Sequence, residues 1–104
     1  MSQAKPQTLN EYLASIAPEV SQSFRGLRGS ALAAGPLEHE VLELVVLISF
    51  VTAGMESAFM GHAKRALKNG LAKEKVQHAI IATLGATLPM ATVVEALRWL
   101  DDCE

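Results

Sequence analysis

The chain has 104 residues, a length suited to one domain with its own core. Half of the residues are hydrophobic and only 5% are aromatic, which excludes a disordered chain and calls for a core of Ala, Leu, Val, Ile and Met. A formal net charge of -2 leaves no basic patch for nucleic acid. The longest apolar run is about half of the ~20 residues that a membrane span requires, so no membrane partner is expected either.

The first six residues, Met1 to Pro6, read as a frayed start and not as a charged-then-apolar leader. Thr8 can cap a short helix over Leu9 to Ile16. Pro18 suits the first turn of a second helix, with Val20, Phe24 and Leu27 at helical spacing. The stretch from Gly29 to Gly35 reads as a connector, and Pro36 opens a third helix from about Leu37 to Ala53. Glu38 and Glu40 in its first turn suit the positive end of the helix dipole. Gly54 separates it from a fourth helix, Met55 to Asn69. Lys64, Arg65 and Lys68 fill the last turns of that helix, and Gly70 is placed as a left-handed cap. A fifth helix is expected over Lys73 to Leu84, with Val76, Ala79, Ile80 and Leu84 on one face. Gly85 and Pro89 break the chain before a last helix from Met90 to Leu100. No segment shows a sustained period of two, so the fold class is all-α, a single-domain bundle of about six helices over residues 1–104.

Glu43 stands out, because the run from Val41 to Val51 is otherwise apolar except for Ser49. An unpaired carboxylate buried there loses its hydration or its charge, so it needs a partner or a task. His39, Glu43, Leu47 and Phe50 form one ridge of the third helix, and Met55, Ala58, Phe59, His62 and Ala66 form another on the fourth. Helices joined by a short turn at Gly54 should lie side by side and antiparallel, with Glu43 and His62 at similar height. A carboxylate beside an imidazole is a proton-transfer pair. Other readings of the same residues are a packed interface histidine at His62 and a structural acid at Glu43 that bonds a backbone amide, Arg25 or Arg28. A metal held by His39, Glu43 and His62 is a third. His78 is expected in solvent, Met55, Met60 and Met90 as core filler, and Trp99 as a packing anchor. The third helix is apolar almost all round, and so small a domain lacks the neighbours to cover it. An oligomer with an apolar helix interface is the simplest remedy. Cys103 is the only cysteine, near an end expected to fray. With no disulfide framework, the reducing cytoplasm is the expected compartment.

The ordered set of Glu43 in an apolar helix, the Gly54 bend, and His62 followed by Ala63-Lys64-Arg65-Ala66-Leu67-Lys68-Asn69-Gly70 resembles the carboxymuconolactone decarboxylase family, which includes the alkylhydroperoxidase D proteins. The helix start at Lys73-Glu74-Lys75-Val76 and the closing Gly85, Pro89-Met90-Ala91 and Glu95-Ala96-Leu97 extend the likeness, which is strongest over 37–100. The resemblance implies an alkylhydroperoxidase D-like helical bundle that forms homotrimers or homohexamers. The peroxidase branch carries a Cys-x-x-Cys pair where this chain has Met55 and Ala58, so its dithiol cycle has no thiols here and a peroxidase is the weaker implication. The decarboxylase branch implies a cofactor-free lyase, with no metal, acting on a small carboxylated lactone or ring compound. His62 would be the proton donor and Glu43 would orient it. Ser57, Met55, Ala58 and Phe59 would be placed against the substrate. The alternative is a catalytically silent helical oligomer that serves as a binding module.

Overall fold

The computed structural model of the chain describes residues 8–103. The reading of Met1 to Pro6 as a frayed start lies outside the described residues. Among the described residues the structure is helical with no strand. It divides into two compact units, Met1–Pro36 and Leu37–Glu104.

The first unit is a helical hairpin of α1 (Leu9–Ile16) and α2 (Pro18–Leu32). Thr8 starts α1 with a complete capping box. Its hydroxyl accepts from the Glu11 amide at 3.1 Å, and the Glu11 carboxylate accepts from the Thr8 amide at 2.8 Å. These hydrogen bonds to Thr8, backbone first, hold the Glu11 carboxyl below its ordinary pKa. Pro18 sits in the first turn of α2, where its missing N–H is not needed. The hairpin is stitched by polar groups. The Asn10 amide lies 2.7 Å from the Ser21 hydroxyl and, with its nitrogen turned to Ser21, accepts from the Arg25 guanidinium. Ser21 is the one buried residue of the two helices. Leu9, Tyr12, Ile16, Val20, Phe24 and Leu27 are all exposed. The expected Gly29–Gly35 connector begins later than the glycines suggest, because α2 runs on to Leu32. A glycine inside a helix costs only about 1 kcal/mol, and the neighbouring Ala31 and Leu32 are good helix formers.

The second unit packs α3 (His39–Ala53), α4 (Glu56–Lys68), α5 (Lys73–Ile81) and α6 (Met90–Asp101) around one core. Helix α3 packs on α4 and α5, and α6 packs on both of these. Each helix contributes a stripe at helical spacing: Leu47 and Val51, then Phe59, Ala63 and Ala66, then Val76 and Ile80, then Val93, Ala96 and Leu100. Trp99 anchors α6 with its ring 5.9 Å from that of Phe59, as its sequence position suggested. Ion pairs join exposed Glu40 to Lys75 at 2.6 Å and half-buried Lys73 to exposed Asp101 at 2.8 Å. Each is worth at most about 1 kcal/mol. Helix α5 ends at Ile81, three residues before the expected Leu84. Leu84 instead lies in a tight turn in which Gly85 has a positive φ and the Gly85 amide donates to the Leu88 carbonyl. Met60 is core filler, but Met55 and Met90 are exposed. Among the described residues no helix is long and apolar enough to cross a membrane.

Two left-handed glycines set the path. At Gly54, with φ 72°, the Met55 amide donates to Phe50 and the Gly54 amide to Val51. At Gly70, with φ 104°, the Leu71 amide donates to Ala66 and the Gly70 amide to Leu67. Both patterns satisfy orphan carbonyls at a helix end and reverse the chain. Gly61 differs: it lies inside α4, and a Cβ added there meets nothing within 4 Å. Gly70→Ala should therefore destabilise by about 1 kcal/mol, whereas Gly61→Ala should stabilise by about 0.5–1 kcal/mol. Urea unfolding of the two variants beside the parent checks the opposite signs.

Candidate functional site

The reversal at Gly54 folds α4 back on α3 and brings His62 to the ridge that carries Glu43. On that ridge Glu43, Leu47 and Phe50 follow one another at four- and three-residue spacing. The His62 ring lies against Phe50, with centroids 4.9 Å apart and planes tilted by 53°. This is the offset geometry that aromatic rings favour, and it limits how the imidazole can turn. His62 is half-buried.

Glu43 is less isolated than its sequence position implies. Its side chain is 24% exposed, and its carboxylate lies 2.9 Å from Nε2 of His39, one turn earlier on the same helix. His39 is 85% exposed, so this contact sits at the rim and not in the core. Glu43 pairs with His39, and His62 packs on Phe50, two turns further along the same ridge. Spacing alone could have suggested the first pair, since residues four apart meet on a helix. The second required knowing how far α4 slides along α3.

The residues expected around the substrate divide by depth. Met55 and Ser57 are exposed at the start of α4, and Ala58 is half-buried. Phe59 is fully buried and turned inward on Trp99, so it supports the helix from the core side. His78 is exposed, as expected. Arg25, offered as an alternative partner of Glu43, meets Asn10 within the hairpin. Among the described residues no three His, Cys, Asp or Glu side chains converge to hold a metal, so the alternative set of His39, Glu43 and His62 does not assemble.

Cys103 is not at a frayed end. It is buried, with Sγ 3.3 Å from the Trp99 carbonyl and 3.6 Å from Sδ of Met60. Burial pushes its thiol pKa up, only partly offset by the positive charge of Lys64. A thiol kept protonated is a poor nucleophile, the reverse of what peroxide chemistry needs. Cys103, just past the end of α6, continues the three- and four-residue spacing of buried Val93, Ala96 and Leu100, which is the sequence signal for this burial.

A search of curated proteins and a search of solved structures each gave no match. A model of one protein family does match, over residues 18–102. That span holds the Glu43 ridge, the Gly54 reversal, His62 and the closing helix, and the chain belongs to the Carboxymuconolactone decarboxylase family.

Proposed function

We propose that the chain is a cofactor-free, decarboxylase-like lyase that acts on a small carboxylated lactone or ring compound. The observation that carries this reading is the packing of His62 on Phe50, which holds a half-buried imidazole on the same ridge as the Glu43 carboxylate. In the proposed step the bond to the substrate carboxylate breaks and carbon dioxide leaves. The electron pair stays on carbon as an enolate-like carbanion, and protonated His62 donates its proton to that carbon. The imidazole then regains a proton from water. Glu43, whose carboxylate is held by His39 one turn earlier, is the acid on that ridge that would orient the imidazole. Met55, Ser57 and Ala58 stand at the start of α4 as the surface offered to the substrate.

A second reading is a helical binding module without chemistry. It is favoured by the pairing of Glu43 with an exposed histidine, an arrangement that can serve stability alone. Under either reading the protein is a cytoplasmic homo-oligomer, a trimer or hexamer. The hairpin supports assembly: a pair of helices with no buried apolar side chain and seven large exposed ones lacks a core of its own.

His62→Gln should lower carbon dioxide release from a carboxylated lactone at least about 100-fold with unchanged circular dichroism. Glu43→Gln should lower it less. If neither substitution changes the rate, His62 is not the proton donor; if Glu43→Gln alters only thermal stability, the binding-module reading gains. Cys103 should resist iodoacetamide at neutral pH and react only above the ordinary thiol range, whereas the urea-unfolded chain should react normally. Mass spectrometry of the labelled protein reads this out, and rapid native labelling at neutral pH would reopen a thiol-based peroxidase.

A further inference from the structure

The hairpin of α1 and α2 leaves an apolar face uncovered within its own unit. On α1, Leu9, Tyr12 and Ile16 recur at three- and four-residue spacing, and on α2 Val20, Phe24 and Leu27 recur at four- and three-residue spacing. Asn10 and Ser21 touch at the seam between the helices. Each lies a quarter-turn or more round its helix from the apolar stripe, and the antiparallel course of the two helices carries both stripes to one side. The hairpin is therefore a two-helix layer with a polar seam and one apolar face.

The six side chains of that face are 51–91% exposed. A large apolar side chain exposes about 200 Å² in full, so the face amounts to on the order of 800 Å². Each partner in a stable protein–protein interface gives up roughly 800 Å², so the face has the size that a stable pair requires. The exposed side of α3 is one helix wide, and its large exposed side chains, Val41 and Val45, present under about 200 Å² by the same measure, too little to match it. An anionic membrane asks for a basic polar face. The hairpin instead sets Glu11 and Glu19 against Arg25 and Arg28, and residues 8–36 carry no net charge. Two such hairpins approach without net repulsion, and each offers the other an uncharged face of equal size, two helices wide.

From this we propose that the hairpins of two copies of the chain pack apolar face to apolar face as a four-helix bundle. The contact uses the same patch on both chains, so it is satisfied in pairs and gives an even number of chains. Of the assemblies named above it selects the hexamer, in which hairpin contacts join two trimers, over the trimer. This pairing deepens the oligomer reading, on which it rests, and is independent of the proposed lyase activity.

Sedimentation equilibrium of the whole protein should give an even number of chains. Phe24→Glu should reduce that mass to about half, because it places a carboxylate in the apolar contact. Val45→Glu, on α3, should leave the paired chains together. Circular dichroism confirms that each variant is folded, and Ile16→Glu replaces Phe24→Glu if that variant is not. As a second measurement, chains with p-benzoylphenylalanine in place of Phe24 are refolded from urea with heavy-isotope chains and irradiated. Mass spectrometry of the cross-linked peptides should then join a light hairpin to a heavy one. An odd-numbered parent, or a mass left unchanged by a folded charged variant of the hairpin, overturns the proposal while the oligomer reading stands. Dissociation of the pair by Val45→Glu overturns it in the same way, as do cross-links from position 24 to residues 37–103, because the occupant is then the second unit. A monomeric parent overturns both the pairing and the oligomer reading.

Discussion

Helix α3 is apolar around nearly its whole circumference, and the second unit is organised by which parts of it are covered. Leu47 and Val51 are sealed by the core. Phe50 meets His62 from α4, and Leu44 packs against the core beside α5. Val41 and Val45 stay exposed. Three helices of nine to thirteen residues cannot close around a fifteen-residue helix, so one side of it is left uncovered within the unit. That geometric shortfall leaves an open groove between α3 and α5. The same helix presents its one charged residue beyond the first turn, Glu43, on the opposite side.

The chemistry of the site follows from how Glu43 avoids being a buried charge. It lies at the margin of the core, partly hydrated and paired with His39. His62 gains orientation from an aromatic ring. These two arrangements leave an acid and a base on one ridge without a thiol between them. Met55 and Ala58 stand at the positions where a dithiol would be needed, and Cys103 is held protonated in the core beside Met60.

Much of the second unit was legible before any coordinates. Gly54 and Gly70 mark both reversals because only glycine adopts their positive φ without strain. In the first unit Thr8 and Pro18 mark their helix starts, one by a side-chain hydrogen bond and the other by its fixed φ. The core stripes of α4 and α6 appear as three- and four-residue repeats. What misled were residues whose local preference is weak. The glycines of α2 suggested a loop where the helix continues to Leu32, and Leu84 fits the periodicity of α5 but lies in the following turn. Cys103 looked terminal and free because chain position says nothing about what lies beneath it.

The sequence by itself determined the helical class, the two glycine reversals and the set of residues able to move a proton, since these depend on local backbone preference and side-chain chemistry. Tertiary structure decided which of those residues meet. Whether His62 meets Phe50, whether Cys103 is a surface thiol or a core one, and which side of α3 stays open within its unit all depend on how far one helix slides and turns against another. A shift of one residue along a helix turns a side chain by about 100°. Such shifts are settled by the summed packing of Leu47, Val51, Phe59 and Leu100, which no local pattern records.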